Sequence, residues 1–319
     1  METKKGDALA FWKVYQSLAS SKEAQKVTGT PLICRFCGKS APEVSFELIP
    51  HAVPELLGAN RIIVGDECDQ CNQLFSKSES HLARFLSPYL TMGAVKGKKK
   101  VPQFESRTEP NNPASKTVIK SADPGKREVW LDSLDDYYID YEKKIMSLNF
   151  RVANVRPSEV YRALVKIGLS LLPKQELPRY RNVLAWLQTP DKPVACFPVM
   201  FLTLLTKKKF GVPYVELFQS KRADVGDAYA PEMTMALGSG HTLLQIYLPE
   251  ASDYDISKMS SQNLSIEIFP GIMFDNNENR TKFELRHYDL SISEAITFDE
   301  KINFKYESGK FNIGPKDND

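Results

Sequence analysis

Apolar positions recur along this chain with two periods, and the switches between them outline its elements. Ala8, Phe11, Trp12, Tyr15 and Leu18 follow Asp7 at helical spacing, so a first helix is expected, stopped by Gly29 and Pro31. Short strands are expected at 46–49 and 61–64, around a turn of helix at 54–58 that Gly58 closes. A longer helix should run from Cys68 to about Leu86. Phe75, Leu82 and Leu86 would form its inner face, and Pro88 would end it. Pro102, Pro110 and Pro113, with Asn111 and Asn112, make 101–116 a linker or long loop. Strands are expected next at 117–120, 128–131, 137–141 and 146–152.

A helical pair follows. Ser158 is placed to cap a helix over 159–172, where Val160, Leu164, Ile167 and Leu171 fill one face. Tyr161, Val165 and Leu172 widen that face, so this helix should be deeply buried. A second helix is expected over 177–188. Alternation then returns at 243–248, 264–268, 283–285 and 302–306. The pattern describes an α+β chain in which most strands are antiparallel. It divides into 1–100, a connecting stretch at 101–116, and a larger α+β domain over 117–319 that serves recognition, regulation or oligomerisation.

The length of 319 residues and an apolar content of 42 % fit such a soluble two-domain chain. The apolar run at 193–205 is too short to span a bilayer, and the polar N-terminus has no secretory pattern. A cytoplasmic location is expected. Net charge is only +2 but uneven. Residues 1–100 carry 14 Lys and Arg against 10 Asp and Glu, and the remainder carries 28 against 30. Any contact with nucleic acid must therefore use a local patch. The stretch Lys96, Lys98, Lys99 and Lys100 offers one, extended by Arg61, Arg35 and Lys39.

Four of the five cysteines form two C-x-x-C pairs, Cys34 with Cys37 and Cys68 with Cys71. In a reducing compartment this spacing points to a structural zinc held by four thiolates, a soft tetrahedral set with no open position. The fifth, Cys196, reads as a buried core thiol. Between the pairs lies His51, one of four histidines, and Asn72 follows the last cysteine directly. His81 reads as a surface residue, and His241 and His287 fall in strand-like stretches without a motif.

The phrases His51-Ala-Val-Pro54-Glu55-Leu-Leu57-Gly58 and Asp66-Glu67-Cys68-Asp69-Gln-Cys71-Asn72, after the first cysteine pair, resemble the four-cysteine zinc subgroup of the HNH endonucleases. The resemblance covers roughly residues 30–90. It implies a small zinc-stapled ββα-metal module ahead of the larger α+β domain. It also implies a metal-dependent endonuclease that hydrolyses DNA phosphodiester bonds. His51 would be the general base, and Asn72 would be a ligand of a catalytic divalent cation, usually Mg2+. A neutral imidazole titrates near working pH, and a hard cation with oxygen ligands suits this cleavage. Many members place a ligand directly before the base. Here that position is Pro50, so another residue must serve: Glu79, seven residues after Asn72 on the same helical face, ranks ahead of Asp66. Asn60 is the nearest candidate for the family's middle asparagine.

Small HNH modules joined to larger domains are frequent in bacterial phage defence, so an antiviral defence effector is the context suggested by analogy. A homo-oligomer or a regulatory protein partner could use 117–319. The competing reading is a zinc ribbon that binds nucleic acid without catalysis.

Overall fold

The computed structural model describes residues 14–20, 32–107, 116–123, 126–131, 137–189, 199–204, 210–221, 228–229, 232–249, 263–264, 269, 283–306 and 308. Its strands are β1 (Tyr15–Ser20), β2 (Phe104–Ser106), β3 (Thr117–Asp123), β4 (Lys126–Trp130), β5 (Tyr137–Asp140), β6 (Ile145–Val155), β7 (Val199–Leu204), β8 (Phe210–Ser220), β9 (Ala228–Tyr229), β10 (Met233–Gly240), β11 (Thr242–Tyr247), β12 (Asn263–Leu264), β13 (Phe283–Tyr288) and β14 (Ile296–Lys305). The α-helices are α1 (Asp69–Met92), α2 (Pro157–Leu171) and α3 (Arg181–Leu187). The fold is α+β.

The largest sheet has six strands in the order β1-β8-β10-β11-β7-β13, every neighbouring pair antiparallel. Two three-stranded antiparallel sheets, β14-β6-β5 and β2-β3-β4, complete the main framework, and β12 pairs with β9 in parallel. Helix α1 packs against α2, and every residue of α2 is buried. One hydrophobic core runs from Cys34 and Phe75 through Leu86 to Leu164, Leu244 and Leu290. Among the described residues, no helix is long and apolar enough to cross a membrane.

Several expectations are met and several corrected. The strands expected between 117 and 152 are β3 to β6. The deep burial of the 159–172 helix is met as well, although that helix starts at Pro157 and Ser158 does not cap it. Proline suits the first helical position because its missing N–H has no intrahelical partner there. The helix expected at 177–188 begins as a 3₁₀ turn (Lys174–Tyr180) and continues as α3. Tyr15 and Leu18 do not continue a helix. They lie in β1, at the edge of the large sheet, where the pairing Tyr15↔Ser220 overrides local spacing. The other residues of that expected helix, with Cys196 and 265–268, lie outside the described residues. Phe104–Ser106, within the stretch read as a loop, pairs with β3 and buries Phe104.

Pro88 does not end α1, which runs on to Met92. Proline cannot donate to the carbonyl four residues back. Here the Ser87 hydroxyl donates to the Arg84 carbonyl at 2.7 Å and fills that gap. Tyr89, Leu90 and Met92 are buried beyond it, so packing holds the last turn. The stretch 46–49 is no strand. The N–H groups of Glu47 and Leu48 donate to the Asp69 carboxylate, at 3.0 and 2.9 Å, instead of to a ladder. Leu48 and Ile49 stay exposed. Pairing between 50–52 and 62–64 centres on a single bridge, His51↔Ile63, flanked by Ala52 N–H to Ile62 O and Val64 N–H to Pro50 O. Half-buried His81 accepts the Arg156 N–H on Nδ1, so it joins the two helices rather than only facing solvent.

The turn after His51 is pressed against the large sheet. Ser239 Oγ of β10 donates to Leu57 O at 2.6 Å. Gly58 has φ +136°, and a Cβ there would meet the Pro213 ring at 2.9 Å and Val95 at 3.0 Å. Gly58→Ala is therefore expected to lower stability by about 1–3 kcal/mol, as overpacking and a positive φ combine. Urea unfolding of the variant and the parent measures this.

Candidate metal centre and active site

The two cysteine pairs meet at the start of α1. Cys34 and Cys37 lie in a tight turn: Gly38 N–H donates to Cys34 O, and Gly38 adopts φ +73°. Cys68 precedes the first residue of α1, and Cys71 lies in its first turn. All four Sγ atoms fall within 4.8 Å of one another, with Cys37 and Cys68 Sγ 3.8 Å apart. Among the described residues, no other group of three or more His, Cys, Asp or Glu converges in this way. The Cys34 thiol is pulled down to about 5, chiefly by the hydrogen bond from Cys71, whereas burial pushes Cys68 up to about 11. Thiols this close cannot all ionise without a cation between them. The donor set therefore fits a tetrahedral metal such as zinc.

Residues far along the chain support this centre. Gln188 Nε2 lies 3.5 Å from Cys71 Sγ. Arg35, inside the first cysteine turn, is buried and makes a two-pronged pair with Asp66, at 2.6 and 3.3 Å. Its Nη1 also donates to Leu169 O at 3.0 Å and Ser170 O at 2.5 Å, capping the C-terminal carbonyls of α2. This corrects two expectations. Arg35 is not part of an exposed basic patch. Both oxygens of Asp66 are engaged by Arg35, which leaves it a structural role in place of the catalytic-metal role.

His51 is half-buried on the bridge to Ile63. Its Nδ1 lies 3.3 Å from Asn60 Oδ1. The Asn60 amide is fixed in orientation by three backbone bonds: Nδ2 donates to Val53 O (3.1 Å) and Gly58 O (2.9 Å), and Oδ1 accepts Ile62 N–H (3.1 Å). An acceptor at Nδ1 requires Nδ1 to carry the proton, so in the neutral ring the lone pair is on Nε2. Asn60, already the nearest candidate by sequence, is thus the side chain that meets the His51 ring.

Asn72 is half-buried in the first turn of α1, and its N–H donates to Cys68 O. Glu79 lies on the same helix, with Oε1 accepting from Lys166 Nζ at 3.0 Å. That ammonium, on α2, is fully buried. It also donates to His51 O at 3.0 Å and lies 3.2 Å from Glu67 Oε2. Glu67 is in ion-pair range without a directed hydrogen bond. Its carboxyl is pushed up to about 7 by burial, against the pull of Lys166. Burial draws Lys166 down, but Glu67 and Glu79 outweigh it and its pKa is raised. Glu79 therefore has one oxygen committed to a lysine, which leaves only its second oxygen for any other ligand.

Lys166 was not anticipated from the sequence. The signal was present: a helix apolar on nearly every side leaves Glu159, Arg162 and Lys166 no route to solvent, so each must be paired inside. Glu159 accepts from Ser78, and Arg162 donates to Trp186 O and Leu187 O at the end of α3. Lys96, Lys98, Lys99, Lys100, Arg61 and Lys39 are exposed, as expected. The lysine loop is fastened beside the His51–Asn60 turn by Ala59 N–H to Lys96 O.

Compared with known proteins, the chain matches no family model, no curated protein and no solved structure.

The purified protein is expected to hold one zinc per chain by elemental analysis, and Cys68→Ser to lose it. Asn60→Ala is expected to leave the fold and zinc in place but to release His51 into a mixture of both neutral tautomers, read from 15N shifts of the ring nitrogens.

Proposed function

We propose that this protein is a metal-dependent endonuclease of the HNH kind, acting on the phosphodiester bonds of DNA with His51 as general base. The observation that carries this reading is the lock between Asn60 and His51. An imidazole with Nδ1–H held and Nε2 bare is prepared to take a proton from a water attacking phosphorus. It lies on a hairpin that continues into a cysteine-stapled helix, the arrangement that the motif resemblance implies.

A divalent cation such as Mg2+, when bound, would stabilise the leaving oxygen and the scissile phosphate. Magnesium keeps several waters and needs only one or two protein ligands besides phosphate oxygens. Asn72 and the remaining oxygen of Glu79 are the groups proposed to contribute. The exposed Lys96, Lys98, Lys99, Lys100 and Arg61 would contact phosphates and give affinity without reading sequence.

A zinc module that binds nucleic acid without cutting it is favoured by a different observation: Pro50 precedes His51, while Asp66 and Glu79 are both taken up by internal cations. Plasmid cleavage with and without magnesium separates the two. Nicking or linearisation that needs the divalent ion and falls at least about a hundredfold in His51→Ala is expected. Binding without turnover in any divalent metal would establish the second reading, and undiminished cutting by His51→Ala would remove His51 from its role.

A further inference from the structure

Among the described residues, Lys166 of the later part of the chain hydrogen-bonds directly to the main chain of the candidate base. Lys166 Nζ is 3.0 Å from the His51 main-chain carbonyl and 3.0 Å from Glu79 Oε1, and the residue has no exposed surface. Nζ donates two hydrogen bonds, to the His51 bridge and to helix α1, and lies in ion-pair range of Glu67 ahead of the second cysteine pair, so it meets three different segments. Helix α2 cannot slide along its axis to loosen this contact, because Arg35 holds its final carbonyls and Asp66 holds Arg35.

We propose that Lys166 is a positioning residue for His51: it clamps the His51 carbonyl to Glu79, so α2 sets where the imidazole sits. Asn60 then fixes the ring's tautomer, and Lys166 fixes the backbone that carries the ring. The role as positioner of a base rests on the endonuclease reading above; the clamp itself does not.

The test uses the full chain with 15N-labelled histidine, the His51 signals being identified by their loss in His51→Ala. Lys166→Met alone leaves Glu67 a buried charge without its cation and can unfold the protein. The informative variant is Lys166→Met with Glu67→Gln, which removes both charges. It is expected to retain zinc and a cooperative thermal transition, while the His51 ring signals broaden or split. Turnover in plasmid cleavage should fall about a hundredfold with KM close to the parent value, since misplacing a catalytic group by about 1 Å has that cost. Glu79→Gln, which removes one arm at a partly exposed site, should perturb the same signals less and gives the same readout if the double variant does not fold. Sharp, unshifted His51 signals in a zinc-loaded Lys166→Met/Glu67→Gln protein, or in Glu79→Gln, would overturn the clamp. If the parent protein cuts no DNA but its His51 signals respond to these substitutions, the endonuclease reading fails and the clamp stands.

Discussion

An ammonium group cannot leave water without anions to meet it, and Lys166 has left water completely. Its isolated burial would cost several kcal/mol; the pairing with Glu67, Glu79 and the His51 carbonyl offsets that penalty. Two carboxylates against one ammonium is an uneven match. Glu67 carries the imbalance, and burial raises its pKa towards neutrality despite the adjacent cation. A leucine could fill the same volume with less electrostatic risk. What it could not do is bind two separate segments through directed hydrogen bonds while neutralising a third.

Arg35 makes a second junction of the same type. It is fixed by Asp66 within the cysteine turn and spends its other donors on the end of α2. Gln188 approaches Cys71 from beyond α3. The cysteine cluster, the His51 hairpin and the α2–α3 pair are therefore joined by buried polar contacts rather than by apolar packing alone. Polar contacts specify register, because a shift of one helical turn would leave charges unpaired. The close passage of Gly58 against Pro213 adds a steric limit on the sheet side.

Much of the framework was legible where one local signal decided the outcome. Cysteine spacing located the four-thiol cluster, helical spacing marked the inner face of α1, and alternation found β3 to β6. Readings failed where a distant partner outweighed local preference. Tyr15 and Leu18 have helical spacing but lie in β1, which pairs with β8. Pro88 should stop a helix, yet Ser87 takes the orphaned carbonyl and burial holds the next turn. Residues 46–49 alternate like a strand, but Asp69 captures their N–H groups. Strand β10 is buried at every position and carries Gly238 and Gly240, so it shows no alternation that the sequence could reveal. At the candidate site, His51 and the cysteines were visible as motif. The pairing of Asp66 with Arg35 and of Glu79 with Lys166 was not, since both pairs form only when α2 packs beside the cysteine turn and α1.

The distance in sequence between Cys71 and Lys166 has a consequence for how the protein is made. All four cysteines precede α2 in the chain, so a metal could close them before α2 is made. The helix that supplies Lys166, and the carbonyls that Arg35 caps, follow roughly 5–20 s later at ordinary elongation rates. During that interval the cysteine cluster can form, and the histidine hairpin has only the hydrogen bonds within residues 50–64 to hold it. Loop closure over so long a separation is slow and late by nature. The order of synthesis thus allows the cysteine cluster to close before the contacts that position the histidine can form.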